Sequence, residues 1–578
     1  MKPEPPVDDT KPPRPLPQTL RSPGLIEEWQ EIHPLSESVL VHLRVFRCKK
    51  KVPALWVVLL GGTGTGKSTI FNVLCGKPVS ATGVERPKTT GPILFAHEAL
   101  DLREAFPFPE MEITAKPASE TGDTPTSGSS GRLLVVEHAR EDFSHIILAD
   151  TPDLDSVDLE NRTVAENLYL LSDAVVFITS QEKYADEVPY LFLLKVLKER
   201  KLCHVILNKA GETSTGEDVL SILREESVSL APGRVWLFPY APSQPALALA
   251  HDPAFRSFQE CFLKELARSQ APDIRKNVLS RHREAVQGKL KRLAALVEQE
   301  HEAGRAWLKT LRGLDQRTSE EFVREQKRNF SSKNQDAVKG EIRRLFSKYD
   351  LLAKPRLLIR ETILFPLRVM GIVGKKPDPK YKEELRNVRR KIDLVPIRTA
   401  VERFNRLVLE KLSPADENAP LFKKIRDPGI SLTPEEVKDL VWKAQDQLDE
   451  WLAKRFESLA ASLPRTKRWG IYSTSILWGI LIVSLEVVVG GGFTILDALL
   501  GSALAPFVTK GTVEVFAFHE IQKVTRELAA RYQEGLLSVI HAQKERYEQC
   551  LEFLLPSPEA KAGLQEMHRQ VSVLDKED

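Results

Sequence analysis

Short apolar runs punctuate the first half of the chain: VPALWVVLL (52–60), ILFAHEA (93–99), LLVVEH (133–138), HIILAD (145–150), AVVFITS (174–180), HVILN (204–208) and VWLFPY (235–240). Each is of strand length and apolar almost throughout, the pattern of a strand covered on both faces. Helical spacing lies between several of them, over 68–75, 162–171 and 187–200. This alternation predicts an α/β unit over 54–252, a largely parallel sheet with helices on both faces. A helix is expected before it, over 25–53, with Leu25, Ile26, Trp29, Ile32, Leu40, Leu43 and Val45 as its apolar stripe. The small, polar stretch 117–131 (PASETGDTPTSGSSG) reads as an inserted flexible loop.

From 253 the strand pattern stops and charged, leucine-spaced helical sequence begins. Prolines and glycines near 355, over 374–380 and over 413–434 divide it into several helices, so 253–468 is expected to be a helical domain. Residues 469–511 are strongly apolar and read as a helical hairpin reversing at Gly490-Gly491-Gly492. An amphipathic helix over about 513–555 dominates the last segment, 512–578, which ends in a tail. The first 24 residues, rich in proline, are expected to be a disordered tail.

Composition narrows the function classes. Of 578 residues, 42% are apolar and 28% charged, which suits a folded protein. The net charge of +3, with no basic stripe, gives no direct nucleic-acid signal. Five widely spaced cysteines show neither metal-binding spacing nor a disulfide framework, so a reducing compartment is expected.

The sharpest chemical signal is Gly61-Gly62-Thr63-Gly64-Thr65-Gly66-Lys67-Ser68, which fits G-x-x-x-x-G-K-[ST] between a predicted buried strand and a predicted helix continuing through Thr69. Glycines in such a loop let backbone N–H groups wrap a phosphate, and the helix N-terminus adds positive potential. Lys67 is expected to reach the β- and γ-phosphates, and the Ser68 hydroxyl to ligate Mg²⁺. Asp150, at the carboxyl end of HIILAD, is the second expected Mg²⁺ holder, because ligands of open α/β sheets gather at that end of the strands.

These residues resemble TRAFAC-class P-loop GTPases of the Era-like and dynamin-like group, and within it a bacterial membrane-associated subgroup. GGTGTGKSTIFNVLCG is similar to the first G motif of the group, GVERPKTTGP to its switch I and LADTPDLDSV to its third motif. DTPDLDS (150–156) and SQEKYAD (180–186) are similar to elements of the bacterial subgroup. The resemblance implies a G domain binding GTP or GDP with Mg²⁺. It gives Thr90, or failing that Thr89, a role on Mg²⁺ and the γ-phosphate, with Lys67 and Thr90 as the catalytic pair. It places Asn208 and Lys209 on guanine and Asp153 beside the γ-phosphate.

Two departures bear on activity. Asp153 stands where the group's third motif ends in glycine, and a carboxylate there repels phosphate unless it turns away. The fourth motif reads Asn208-Lys209-Ala210-Gly211 and lacks the guanine-selecting Asp, so weakened base selection is expected. Glu212 or Asp218 could substitute through a loop shift, and Tyr240-Ala241 is the candidate for the base-backing motif. Leu154 stands where a water-positioning glutamine would help, so turnover is expected to be slow. Arg86 and Lys88 read as solvated loop charges rather than transition-state contacts.

In the hairpin, 469–489 carries one charge, Glu486, and 490–509 one, Asp497. Each half approaches the length that crosses a bilayer. Arg465, Lys467 and Arg468 before it, and Lys510 after it, favour both ends on the cytoplasmic side. Transmembrane insertion, a shallow membrane paddle and a buried soluble hairpin all fit this pattern. The expectation is therefore a slow Mg²⁺-dependent GTPase acting as a dynamin-like or Era-like switch. It would sit on the cytoplasmic face of a membrane (the inner membrane) or in the cytoplasm, with homo-oligomers left open. The alternatives are a non-catalytic nucleotide-binding scaffold and a purine nucleoside triphosphatase with relaxed base choice.

Overall fold

The computed structural model describes residues 20–82, 91–119, 131–180, 186–211, 223, 230–239, 246–329, 336, 394–462 and 515–573. Contacts divide the chain into two compact units. The first comprises the described residues within 31–295 and 559–573, and the second those within 20–30 and 296–558.

The first unit is built on one eight-stranded sheet. Its strands are β1 (Leu55–Leu60), β2 (Ile93–His97), β3 (Glu112–Pro117), β4 (Arg132–His138), β5 (Ile146–Asp150), β6 (Ala174–Ser180), β7 (Leu202–Ala210) and β8 (Val235–Pro239). They lie in the order β3-β4-β2-β5-β1-β6-β7-β8. All neighbours run parallel except β2 and β5. Helices α1 (Ile32–Lys51), α2 (Lys67–Cys75), α3 (Leu159–Leu171), α4 (Glu187–Lys198) and α5 (Pro253–Glu265) cover it, and α6 (Ala271–Asn329) follows.

Side chains of a strand alternate between faces, and β1 shows what that means for a run such as LWVVLL. Trp56, Val58 and Leu60 enter one core with Val45 of α1, Leu168 of α3 and Leu193 of α4. Leu55, Val57 and Leu59 enter the other with Phe71 of α2 and Phe258 of α5. Both faces of β1 are therefore sealed, which is why its sequence shows no polar alternation. The expected fold class is present in this unit.

The strand that the apolar pattern does not reveal is β3. It lies at the sheet edge with mostly exposed side chains, so EITAKP carries no continuous apolar run. It also ends at Pro117, inside the stretch read as a loop; residues 120–130 of that stretch lie outside the described residues.

The second unit is helical. It holds the later part of α6, then α7 (Val395–Leu412), α8 (Pro420–Ile425), α9 (Pro434–Ser462) and α10 (Val515–Leu554), and the short helix α11 (Pro558–Val573) follows. Its core gathers Trp307, Phe322, Phe404, Val441, Leu528 and Tyr547 among others. Gln543 is matched inside it: it accepts from the Leu432 N–H at 2.8 Å and donates to the Ile430 carbonyl at 3.0 Å. Buried Glu300 likewise accepts from the Ser22 hydroxyl at 2.8 Å and the Leu25 N–H at 3.2 Å.

The apolar hairpin expected over 469–511 lies outside the described residues, as do residues 1–19 of the tail expected over 1–24, whereas Leu20 and Ser22 are buried and the Ser22 hydroxyl donates to Glu300. Among the described residues no helix is long and apolar enough to cross a membrane.

Candidate functional site

Strand β1 sits at the centre of the sheet, with β5 on one side and β6 on the other. The chain leaves β1 through the glycine loop and enters α2 at Lys67. The loop therefore opens at the carboxyl ends of the strands, where strand order reverses and ligands of such sheets bind.

Two glycines are required by geometry. At Gly61 a side-chain carbon would lie 2.0 Å from the Ile178 carbonyl oxygen. Gly66 has φ +93°, and a side-chain carbon there would lie 2.3 Å from the Asn208 Nδ2. Gly66 also caps α2 without a side-chain hydrogen bond, so the first-turn N–H groups of α2 have no capping side chain. The loop is braced from within and from behind. The Thr65 hydroxyl donates to the Gly62 carbonyl at 2.9 Å, and Asn208 Nδ2 donates to the Thr65 carbonyl at 2.8 Å. Lys209, held at φ +56°, lays its ammonium on the Gly64 carbonyl at 2.8 Å. The two residues expected at guanine thus touch the P-loop directly.

Lys67, Ser68 and Asp150 converge. The Ser68 hydroxyl donates to Asp150 Oδ2 at 2.7 Å. Lys67 Nζ donates to the Gly62 carbonyl at 3.1 Å and to Asp153 Oδ1 at 2.5 Å. Asp150 is 0% exposed, and Ser80 donates a second hydroxyl bond to its Oδ2 at 2.7 Å. Burial pushes its carboxyl above the usual range, while the Ser68 and Ser80 hydroxyls and the Lys67 charge pull it back.

Its other oxygen, Oδ1, is buried and has no hydrogen-bond partner. An orphaned carboxylate oxygen beside a serine hydroxyl fits a hard cation such as Mg²⁺, which takes a few protein oxygens and completes its shell with phosphate and water. Among the described residues no cluster of three or more His, Cys, Asp and Glu could hold a metal. A one-carboxylate Mg²⁺ site does not call for such a cluster.

The segment expected to be the third motif also reaches the loop, through Asp155, a residue not among the expected site residues. Asp155 Oδ1 accepts from both the N–H and the hydroxyl of Thr63, each at 2.7 Å. The Leu154 N–H donates to the Gly61 carbonyl at 3.2 Å, and the Thr151 hydroxyl to the Leu59 carbonyl at 2.7 Å. Two carboxylates, Asp153 and Asp155, therefore rest on an ammonium and an amide of the phosphate loop.

Ser80 is the other residue missed. Asn72 of α2 holds it, accepting from the Val79 and Ser80 N–H groups at 2.9 and 2.7 Å and donating to the Ser80 carbonyl at 2.7 Å. Its position just ahead of GVERPKTTGP is a signal, but nothing in the serine itself marks it.

Thr69 lies in the first turn of α2. Arg86, Lys88, Thr89 and Thr90 lie outside the described residues, as do Glu212, Asp218, Tyr240 and Ala241.

No family model matches the chain. An uncharacterized protein in the xynA 3′ region of Caldicellulosiruptor sp. (strain Rt8B.4) is 25% identical over 205 residues, 33% of this chain and 49% of that protein. The chain thus spans about half the length of that curated relative. Two solved structures, each of an oligomerised bacterial dynamin pair described as providing a mechanism for long-range sensing and tethering of membranes, align over most of the chain. One is 13% identical with a TM-score of 0.39, covering 92% of this chain and 90% of the other. The second is 10% identical with a TM-score of 0.39, covering 96% and 92%.

Proposed function

We propose that this protein binds and slowly hydrolyses a purine nucleoside triphosphate with Mg²⁺, GTP being the favoured nucleotide, and works as a membrane-associated switch of the dynamin-like or Era-like kind. The observation that carries the phosphate site is the convergence of Lys67, Ser68 and Asp150 at the mouth of a glycine loop. The preference for GTP rests on the sequence resemblance and on Asn208-Lys209. Membrane association rests on the apolar stretch 469–511.

Ser68 and Asp150 would hold Mg²⁺, whose charge offsets the negative charge of the phosphate oxygens. Lys67 would release Asp153 and bind the terminal phosphates, since its ammonium is the cation aimed into the loop. The Thr63 amide would exchange the Asp155 carboxylate for a phosphate oxygen. The first-turn amides of α2 orient the same anion. Asn208 and Lys209 keep the loop in its receptive shape through Thr65 and Gly64. Thr90, from switch I, is assigned to the γ-phosphate side on the resemblance.

Equilibrium competition among GTP, ATP and XTP, with and without Mg²⁺, tests the reading. GTP should bind more tightly than ATP, by a margin smaller than a complete N-K-x-D motif gives. Equal affinities would remove the guanine assignment and leave the phosphate site standing. Lys67→Ala should abolish binding and phosphate release, and undiminished activity in that variant would sink the site. Partition of the full chain into the pellet after a carbonate wash is expected for a membrane-inserted hairpin.

A further inference from the structure

A second concave site lies within the first unit at the end of the sheet opposite the glycine loop. Lys201 immediately precedes β7 and Ser172 closely precedes β6, and β6 runs parallel to β1. The loop leaves the carboxyl end of β1, so this second site is at the amino ends of the strands. It is a cavity of about 540 Å³, within the size range of small-molecule sites. Six basic side chains line it: His42 from α1, Lys195 from α4, Lys201 ahead of β7, and Arg281, His282 and Lys289 from α6. Two carboxylates, Glu166 and Glu199, stand against them.

The disposition of these charges is unusual for a surface cleft. Surface cations ordinarily sit near carboxylates or point freely into water. Here the donors are held on neutral acceptors. Lys201 Nζ donates to the Tyr169 carbonyl at 2.7 Å and the Ser172 hydroxyl at 2.9 Å. Lys289 Nζ donates to the Ser38 hydroxyl at 2.9 Å. Arg281 donates to the Glu199 and Arg200 carbonyls at 3.2 and 2.5 Å. Lys195 lies over the Tyr169 and Phe192 rings, 5.4 and 5.3 Å from their centres. Glu199 spends one carboxylate oxygen on the Tyr169 hydroxyl at 2.6 Å. The cations are thus fixed in place and mutually close, with no carboxylate among the described residues paired to any of the four Lys and Arg groups.

Their protonation carries the strain of that arrangement. Burial, then the Lys49 charge, pushes Lys201 down to about 7. Burial, then Lys195, lowers Lys289, and burial, then Lys289, lowers His42. Burial pushes His282 down to about 3. Glu199 offsets these shifts in part, raising Lys201, Lys289 and His42, and a bound anion would add negative charge on the same side.

We propose that this cavity is a second anion site, separate from the nucleotide loop, that takes a compact phosphate-bearing molecule, either free or as the headgroup of a lipid. Lys195, Lys289 and Arg281 provide its charge, and the faces of Leu170 and Val278 provide an apolar wall.

The test uses the full-length chain and two probes. Calorimetric titration with inositol hexakisphosphate is carried out on the wild type, on Lys67→Ala and on Lys195→Gln/Lys289→Gln. Lys67→Ala blanks the glycine loop, so binding that persists in it belongs elsewhere. The expected result is equal binding by wild type and Lys67→Ala, and binding weakened by roughly tenfold or more in the double glutamine variant. Lys195→Arg/Lys289→Arg should retain binding, because charge is kept. Cosedimentation with phosphatidylcholine vesicles, with and without a phosphoinositide, reads the headgroup source. If only vesicles bind, and the glutamine pair loses them while the arginine pair keeps them, the site takes a lipid headgroup. A glutamine variant that binds both probes like wild type overturns the proposal, as does failure of the wild type to bind either. An unchanged melting curve of the glutamine variant confirms that loss is local.

Discussion

Lys67 Nζ stands 2.5 Å from Asp153 Oδ1, so the residue expected to grip the terminal phosphates is engaged by a carboxylate of the third motif. The pair is only partly shielded, with Asp153 26% exposed. The sequence raised a difficulty here, because an acid beside a γ-phosphate repels it. The structure turns that acid onto the lysine instead. On the proposed function, phosphate and Asp153 would compete for one ammonium, and nucleotide entry would have to displace the carboxylate.

This competition gives the first prediction. Asp153→Asn removes the charge but keeps the size, and should tighten nucleotide binding on the order of tenfold by weakening the state that must be opened. Fluorescent-nucleotide titration reads it. Weaker binding in Asp153→Asn would mean that the carboxylate helps hold the ligand rather than compete with it.

The packing of Gly66 gives the second. A side chain there meets Asn208 at 2.3 Å in a left-handed backbone. Gly66→Ala should cost about 1–3 kcal/mol of local backbone strain and displace the loop. Nucleotide affinity should fall sharply while the far-ultraviolet spectrum stays the same. Retained affinity would contradict the loop geometry.

A buried ion pair gives the third. Lys49 Nζ and Asp173 Oδ1 are 2.5 Å apart with both side chains 3% exposed, and Asp173 Oδ2 also accepts the Trp56 N–H at 2.9 Å. Asp173→Ala leaves a buried ammonium and a buried amide unmatched, so it should destabilise the protein by about 3–5 kcal/mol. Urea unfolding measures this. Asp173→Asn, which can still accept from Trp56, should lose less.

The fourth concerns pH and the helical unit. The His541 ring lies 2.9 Å from Asp315 Oδ1, and that hydrogen bond, opposed by partial burial, raises its pKa above the ordinary histidine value. A raised folded-state pKa means the folded protein holds more protons than the unfolded chain in the window above the unfolded value, about 6.5. The stabilisation is complete below that value and is lost as pH rises through the folded pKa. The urea midpoint of His541→Gln should therefore approach that of wild type as pH is raised through this window. A constant difference between the two across the window would refute the linkage.

Much of this protein was legible from sequence because its chemistry is local. The fully apolar runs of β1, β5 and β6 announce strands sealed on both sides, since two helical layers leave no polar face to encode. G-G-T-G-T-G-K-S specifies its own bend, and Lys67 and Ser68 follow one another on the first turn of α2. Asp150 was readable as the end of a strand that lies next to β1.

Tertiary structure decided what no local pattern encodes. β3 was invisible because an edge strand with exposed side chains needs no apolar run. Asp155 on Thr63 spans 92 positions, Ser80 on Asp150 spans 70, and Asn208 on Thr65 spans 143. The basic cavity draws its basic side chains from α1, α4, the turn ahead of β7 and α6, and each is an ordinary lysine, arginine or histidine in sequence. Hydrogen bonds and charge density depend on distance in space, and a linear pattern reports that distance only within a turn or a strand.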